Sequence, residues 1–206
     1  ICQNKIGSEG GTALVEAIKI SNLESISIGK NLVLPIKGEL DSPTLDASNQ
    51  DIDPGYVIIL AWWLSTPASA VLASLTLDQN GIFGELWPDG SCKEADKYVE
   101  ESTPLLDAIK MSNLTSLSLS KTGMGPKICS RLATSFSAVL ASLNLSGNSL
   151  TGATAKYGDA ASYGWENVDS KMEGFVALCA VLSRLTEVNL SDCRLGPAST
   201  VEVAKV

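Results

Sequence analysis

Leu140-Ala-Ser-Leu-Asn-Leu-Ser-Gly-Asn148 decides the reading of this chain, because the pattern returns four more times. The other copies are Leu23-Glu-Ser-Ile-Ser-Ile-Gly-Lys-Asn31, Leu72-Ala-Ser-Leu-Thr-Leu-Asp-Gln-Asn80, Leu114-Thr-Ser-Leu-Ser-Leu-Ser-Lys-Thr122 and Leu185-Thr-Glu-Val-Asn-Leu-Ser-Asp-Cys193. Each is followed two residues on by an apolar side chain: Val33, Ile82, Met124, Leu150 or Leu195. The similarity runs wider than the motif, since Ser69–Leu75 and Ser137–Leu143 are identical and Thr12–Asn22 echoes Thr103–Asn113. Internal repetition of this kind signals units that cannot shelter an apolar face alone and must stack to do so.

Within each copy the apolar residues alternate with period two, the spacing of a short strand with one buried face. Leu75, Leu77, Leu117, Leu119, Leu143, Leu145 and Leu190 then point the same way. Asn31, Asn80 and Asn148 stand in one column, with Thr122 and Cys193 as variants, where a side chain can bond turn backbone that leucines cannot serve. Ahead of the strands lie stretches with helical spacing: Leu14, Val15 and Ile18; Leu105, Leu106 and Ile109; Phe175, Leu178, Cys179 and Leu182. Asp53-Pro54 and Thr103-Pro104 read as a capping residue followed by proline at the first helical position.

The motif and its helices resemble leucine-rich repeats, specifically the helix-bearing branch typified by ribonuclease inhibitor. That resemblance implies an α/β fold. It would be a right-handed leucine-rich-repeat solenoid, or horseshoe, with a parallel β-sheet on the concave face and α-helices on the convex face. About five repeats would form one domain over residues 1–206. From Leu23 through Leu72, Leu114 and Leu140 to Leu185 the spacings are 49, 42, 26 and 45. Family repeats run ~20–29 residues, so three of the intervals carry insertions.

The insertions fall at about residues 32–53, 83–101 and 151–169. The first reads as an irregular hairpin or a decayed repeat, and Pro35 argues against a central strand there. In the second, Trp87-Pro88-Asp89-Gly90 predicts a tight turn. The third is small and polar with Tyr157, Tyr163 and Trp165. The second and third leave just past the Asn column, so they should emerge on one rim, where per-repeat insertions often line a binding face.

The outward strand positions are mostly Ser, Thr and Asn, together with Asp78, Glu187 and Asn189, and hold no Trp, Tyr or Arg. Interface hot spots favour those three types, so the insertions and the helix surface are better anchors than the sheet. Candidate partner contacts are therefore Trp62, Trp87, Tyr157, Tyr163 and Trp165, with Asp78, Glu187 and Asn189 on the sheet. If Leu60 and Leu64 face the sheet, Trp62 points about 200° away, towards the convex side.

Composition closes several routes. A net charge of −8 argues against nucleic acid, which needs clustered Lys and Arg. The longest apolar run, Val57–Leu64, has eight residues; a membrane-spanning helix needs about 20. The chain has no histidine, which removes Ser-His-Asp and Cys-His catalysis and any Cys/His zinc site. Gly7-Ser-Glu-Gly-Gly-Thr12 lacks the Lys-Ser/Thr of a phosphate loop and reads as a linker entering a helix. The five cysteines form no Cys-x-x-Cys pair and read as buried thiols of a reducing compartment. The sequons at Asn113, Asn144 and Asn189 read as by-products of the repeat.

The expected function is non-enzymatic: a protein-binding or scaffold module, with no cofactor or metal, as an accessory subunit of a larger assembly. A regulator of a small GTPase, by resemblance to the Ran GTPase activator, and a purely structural subunit are the alternatives. An intracellular location is expected, cytoplasmic or, after removal of a leader, within an organelle. Neither end of the sequence shows a polar capping unit, which points to missing residues or to a neighbouring subunit that closes the stack.

Overall fold

The computed structural model describes residues 1–158 and 160–206, with the side chains of Tyr157, Ala160 and Ala161 outside the description. In chain order the first elements are helix α1 (Gly7–Lys19), strands β1 (Ser25–Ile28), β2 (Leu32–Pro35) and β3 (Thr44–Asp46), and helix α2 (Pro54–Leu64). Strands β4 (Ser74–Thr76), β5 (Glu85–Leu86) and β6 (Cys92–Glu94) follow, then α3 (Val99–Met111), β7 (Ser116–Ser118), α4 (Pro126–Leu132) and β8 (Ser142–Asn144). The remainder comprises β9 (Thr154–Ala155), the single turn α5 (Ala160–Tyr163), β10 (Trp165–Glu166), α6 (Glu173–Leu182), β11 (Glu187–Asn189) and α7 (Pro197–Val203).

Short leucine-bearing segments build a five-stranded parallel sheet in the order β11-β8-β7-β4-β3. Its register places Leu45, Leu75, Leu117, Leu143 and Val188 directly opposite one another. Leu75, Leu77, Leu117, Leu119, Leu143 and Leu145 are buried, and Leu190 is half-buried beside the outermost strand. The helices pack in sequence, α1 on α2, α2 on α3, α3 on α4, α4 on α6 and α6 on α7. Between them and the sheet lies one continuous apolar core. No helix among the described residues is long and apolar enough to cross a membrane.

The expected right-handed leucine-rich-repeat solenoid is corrected by this topology, which is a mixed α/β fold. The first motif does not add a strand to the parallel sheet. Its β1 pairs antiparallel with β2 in a separate hairpin, with Ile26 opposite Leu34 and Ile28 opposite Leu32. Two further antiparallel ribbons, β5–β6 and β9–β10, stand apart from the parallel sheet as well. The physical reason lies in Leu32-Val-Leu-Pro35, whose apolar alternation matches that of β1 across a three-residue turn. Closing so short a loop costs far less entropy than a distant parallel pairing.

The fifth parallel strand comes instead from the first insertion. Aligned by register, Ser42-Pro-Thr-Leu-Asp-Ala-Ser-Asn-Gln-Asp-Ile52 carries the motif with Ser42, Ala47 and Gln50 in place of two leucines and the asparagine. The insertion is thus both a hairpin arm and a degenerate repeat.

The polar column forms without Asn31, which is exposed in the β1–β2 turn. Asn148 Oδ1 accepts from the N–H groups of Thr122 (3.0 Å) and Met124 (3.1 Å). Its Nδ2 donates to the carbonyls of Leu119 (2.8 Å) and Leu145 (2.9 Å). Asn80 repeats the arrangement, accepting from Gln50 and Ile52 and donating to Ala47 and Leu77. Gln50 takes the role towards the preceding turn, accepting from the Asn31 N–H at 3.1 Å. Cys193 Sγ donates to the Leu145 carbonyl at 3.2 Å.

Two helix starts differ from expectation. Asp53 caps α2 as its pattern predicts, accepting from the Tyr56 N–H at 3.0 Å. Helix α3, however, starts at Val99, leaving Pro104 inside it. The carbonyl that Pro104 cannot bond belongs to Glu100, an exposed residue. The stretch Gly7–Thr12, read as a linker, is the first half of α1. Its glycine has a packing purpose: a Cβ on Gly11 would meet the Gly55 carbonyl at 2.4 Å, so α1 and α2 touch through backbone there.

Candidate binding groove between two ribbons

Each of the later insertions is closed at its base by hydrogen bonds. In one, the Phe83 N–H donates to Thr122 and the Phe83 carbonyl accepts from Tyr98, both at 3.0 Å. In the other, the Lys171 N–H donates to the Thr151 carbonyl at 3.0 Å. Above these necks the chain folds into the β5–β6 and β9–β10 ribbons. The expected turn at Trp87–Gly90 is present, with the Gly90 N–H donating to the Trp87 carbonyl at 2.9 Å. Asp89 Oδ1 accepts from the Ser91 N–H and hydroxyl, which holds its carboxyl below the usual range. Glu85 is clasped by Lys93 and Lys97, whose hydrogen bonds draw its carboxyl down to about 2.

An aspartate near the end of each of these two insertions locks it to the second helix that follows in the chain. Asp96 accepts from the N–H groups of Gly125, Lys127 and Ile128 at the start of α4. Asp169 does the same for Gly196, Ala198 and Ser199 at the start of α7. Both aspartates have positive φ, 58° and 57°. Burial raises the Asp169 carboxyl, but the bonds from Ser199, Gly196 and Ala198 together outweigh it and leave the carboxyl lowered. A depressed folded value means stabilisation present above the unfolded carboxyl value near ~3.9 and lost as pH falls through the folded one. Asp169→Asn, which tolerates the same φ, is expected to destabilise by about 1 kcal/mol at pH 7. Urea denaturation at several pH values checks this; a deficit that persists unchanged at pH ~2 contradicts the charged cap.

With their bases fixed, the two ribbons meet in a groove of about 140 Å³ whose walls include Trp87, Lys93, Ala153, Ala155 and Trp165. The Lys93 ammonium lies 5.0 Å from the Trp87 ring centroid, and the Arg194 guanidinium 4.3 Å from that of Trp165. Cys92 shares the wall; burial and Asp96 push its thiol up, Arg194 pulls it back, and the balance is about 11. Small-molecule sites occupy roughly 300–1,000 Å³, so this groove suits one or two side chains. A wider cleft of about 680 Å³ lies by Asn4, Lys30, Asp53 and Tyr56. Two of its polar groups are engaged internally: Tyr56 donates to Ile1 and accepts from Asn4, and Asp53 caps α2.

The structure separates the sequence-derived candidates. Trp87, 45% exposed, and Trp165 share the groove. Tyr163 is exposed on the same insertion, and the Tyr157 side chain lies outside the described residues. Trp62 is half-buried against the core and does not line the groove. On the outward face of the sheet, Asp78 Oδ1 accepts from the Ser118 hydroxyl (2.6 Å) and the Ser120 N–H (2.8 Å). Asn144 donates to Ser118, Glu187 accepts from Ser142, and Asn189 accepts from the Ser191 N–H. These side chains are already bonded along the sheet.

Sequence reasoning missed Lys93 and Arg194. Arg194 carried a faint signal: it stands where two other copies of the motif hold Gly81 and Gly123, and like Gly123 it has positive φ. Among the described residues no cluster of three or more His, Cys, Asp or Glu side chains could hold a metal ion. Cys129, Cys179 and Cys193 are buried free thiols; burial raises all three, the latter two to about 11.

No protein-family model and no curated protein matches the chain.

Proposed function

We propose that this chain is a non-enzymatic binding module that engages a protein partner through the groove between its two ribbons. The observation that carries this reading is the convergence of Trp87 and Trp165, from insertions some 70 residues apart, onto one small groove on closed, capped ribbons. Exposed aromatics held on rigid supports are the commonest anchors of protein interfaces, because little side-chain entropy remains to be lost. The repeated leucine motif supports kinship with leucine-rich-repeat proteins, many of which bind other proteins. Membership of a larger assembly fits the half-buried Val188, Leu190 and Leu195 at the β11 edge of the sheet.

The test is affinity capture from the native source with the wild-type chain and with Trp87→Ala/Trp165→Ala. Proteins retained by the wild type are expected to be lost on the double variant while its unfolding midpoint stays close to wild type. Retention of the same proteins by the double variant overturns the reading.

A further inference from the structure

Among the described residues, Arg194 is the one charged side chain beside the groove with buried hydrogen-bond donors that have no partner. Its Nε and Nη1 atoms are shielded from solvent and have no hydrogen-bond partner. Asp192 Oδ1 lies 3.0 Å from Nη1, but off the N–H direction, and that carboxylate is 67% exposed. It neutralises charge without filling the donors. A guanidinium keeps its proton at any physiological pH, so leaving its N–H groups dry is costly and calls for an acceptor from elsewhere.

The groove has the matching polarity. Among the described residues Lys93, which also bonds Glu85, is the one charged side chain in its wall, in a chain of net charge −8. Trp87 and Trp165 supply apolar sides on which a methylene stem can rest. We infer that the groove accepts an acidic peptide segment of the partner, seating one Asp or Glu side chain between the two indoles with its carboxylate on Arg194 and Lys93. The inference rests on the binding-module reading above. Trp165 covers the guanidinium, so the incoming carboxylate shifts that indole, and tryptophan fluorescence reports the event.

The probe is the blocked pentapeptide acetyl-Glu-Leu-Glu-Leu-Glu-amide, titrated against the whole chain by calorimetry and fluorescence beside its all-glutamine analogue. Saturable binding below about 1 mM is expected, with the glutamine analogue at least ~10-fold weaker. Arg194→Gln should weaken binding by about 10-fold or more, and Lys93→Gln by about 3-fold. Should Arg194→Gln fail to fold, Lys93→Gln, at an exposed site, and the glutamine analogue decide. No binding of the acidic peptide at ~1 mM, equal binding of the analogue, or unchanged affinity in the folded variants overturns the inference. Loss of captured proteins from the Trp87/Trp165 double variant without any acidic preference would leave the binding module standing and this inference refuted. Failure of the capture experiment would remove both.

Discussion

Asn148→Ala is expected to destabilise the fold by about 3–5 kcal/mol in urea denaturation, among the largest effects of any single polar substitution in this chain. The side chain is fully buried and serves two amides and two carbonyls. Alanine leaves the Thr122 and Met124 N–H groups without an acceptor in a dry interior, at about 1–3 kcal/mol each. The carbonyls fare better, because Leu119 still accepts from the Thr122 hydroxyl and Leu145 from Cys193. Asn148→Asp restores the acceptor but turns a carboxylate on those same carbonyls, so it should be no milder. Asn31→Ala is the control: the same motif letter in an exposed turn, expected to change stability by less than about 0.5 kcal/mol. Equal effects at both positions would refute the buried column.

Trp63→Ala should cost about 3–5 kcal/mol, the usual range for emptying a buried Trp or Phe site. Trp63 is fully buried on α2, and its indole N–H donates to the Pro35 carbonyl at 2.7 Å. That bond and the surrounding packing tie the β1–β2 hairpin to the helical layer. Trp63→Phe separates the contributions: most of the volume remains, the Pro35 carbonyl loses its donor, and the expected loss falls to about 1–2 kcal/mol. If alanine and phenylalanine cost the same, the cavity contributes nothing and this account of hairpin docking fails.

Both substitutions show where local pattern suffices and where it does not. Leu75, Leu117 and Leu143 were legible because each sits in an intact leucine triplet, and burial on a two-residue period leaves few other readings. Leu45 was not, because Ser42 and Ala47 remove its flanking leucines, and Gln50 replaces the asparagine. The letters allow a decayed repeat somewhere in that insertion but do not place its strand; register with β4 does. The first motif misled in the opposite direction. Its letters are intact, but the neighbouring Leu32-Val-Leu34 offers a partner so close in sequence that a hairpin wins. A repeat pattern specifies a buried face; it does not specify which strand lies beside it.

The groove was half legible. The common departure point of the two insertions placed Trp87 and Trp165 on one side of the molecule, and Trp-Pro-Asp-Gly announced the turn. The cations were hidden because Lys93 lies in an acidic run and Arg194 belongs to a motif read for its leucines. Asp96 and Asp169 escaped notice for a related reason: the N-cap residues of their helices, Gly125 and Gly196, lie 29 and 27 residues later. A cap supplied from outside the helix leaves no local signature.

The most direct measurement is a nuclear Overhauser map of the isotope-labelled chain. Cross-strand contacts characteristic of parallel pairing are expected between Thr44–Asp46 and Ser74–Thr76, and the close Hα–Hα contacts of antiparallel pairing between Ser25–Ile28 and Leu32–Pro35. Parallel contacts from Ser25–Ile28 to Ser74–Thr76, with Thr44–Asp46 unpaired, would contradict the architecture on which the groove depends.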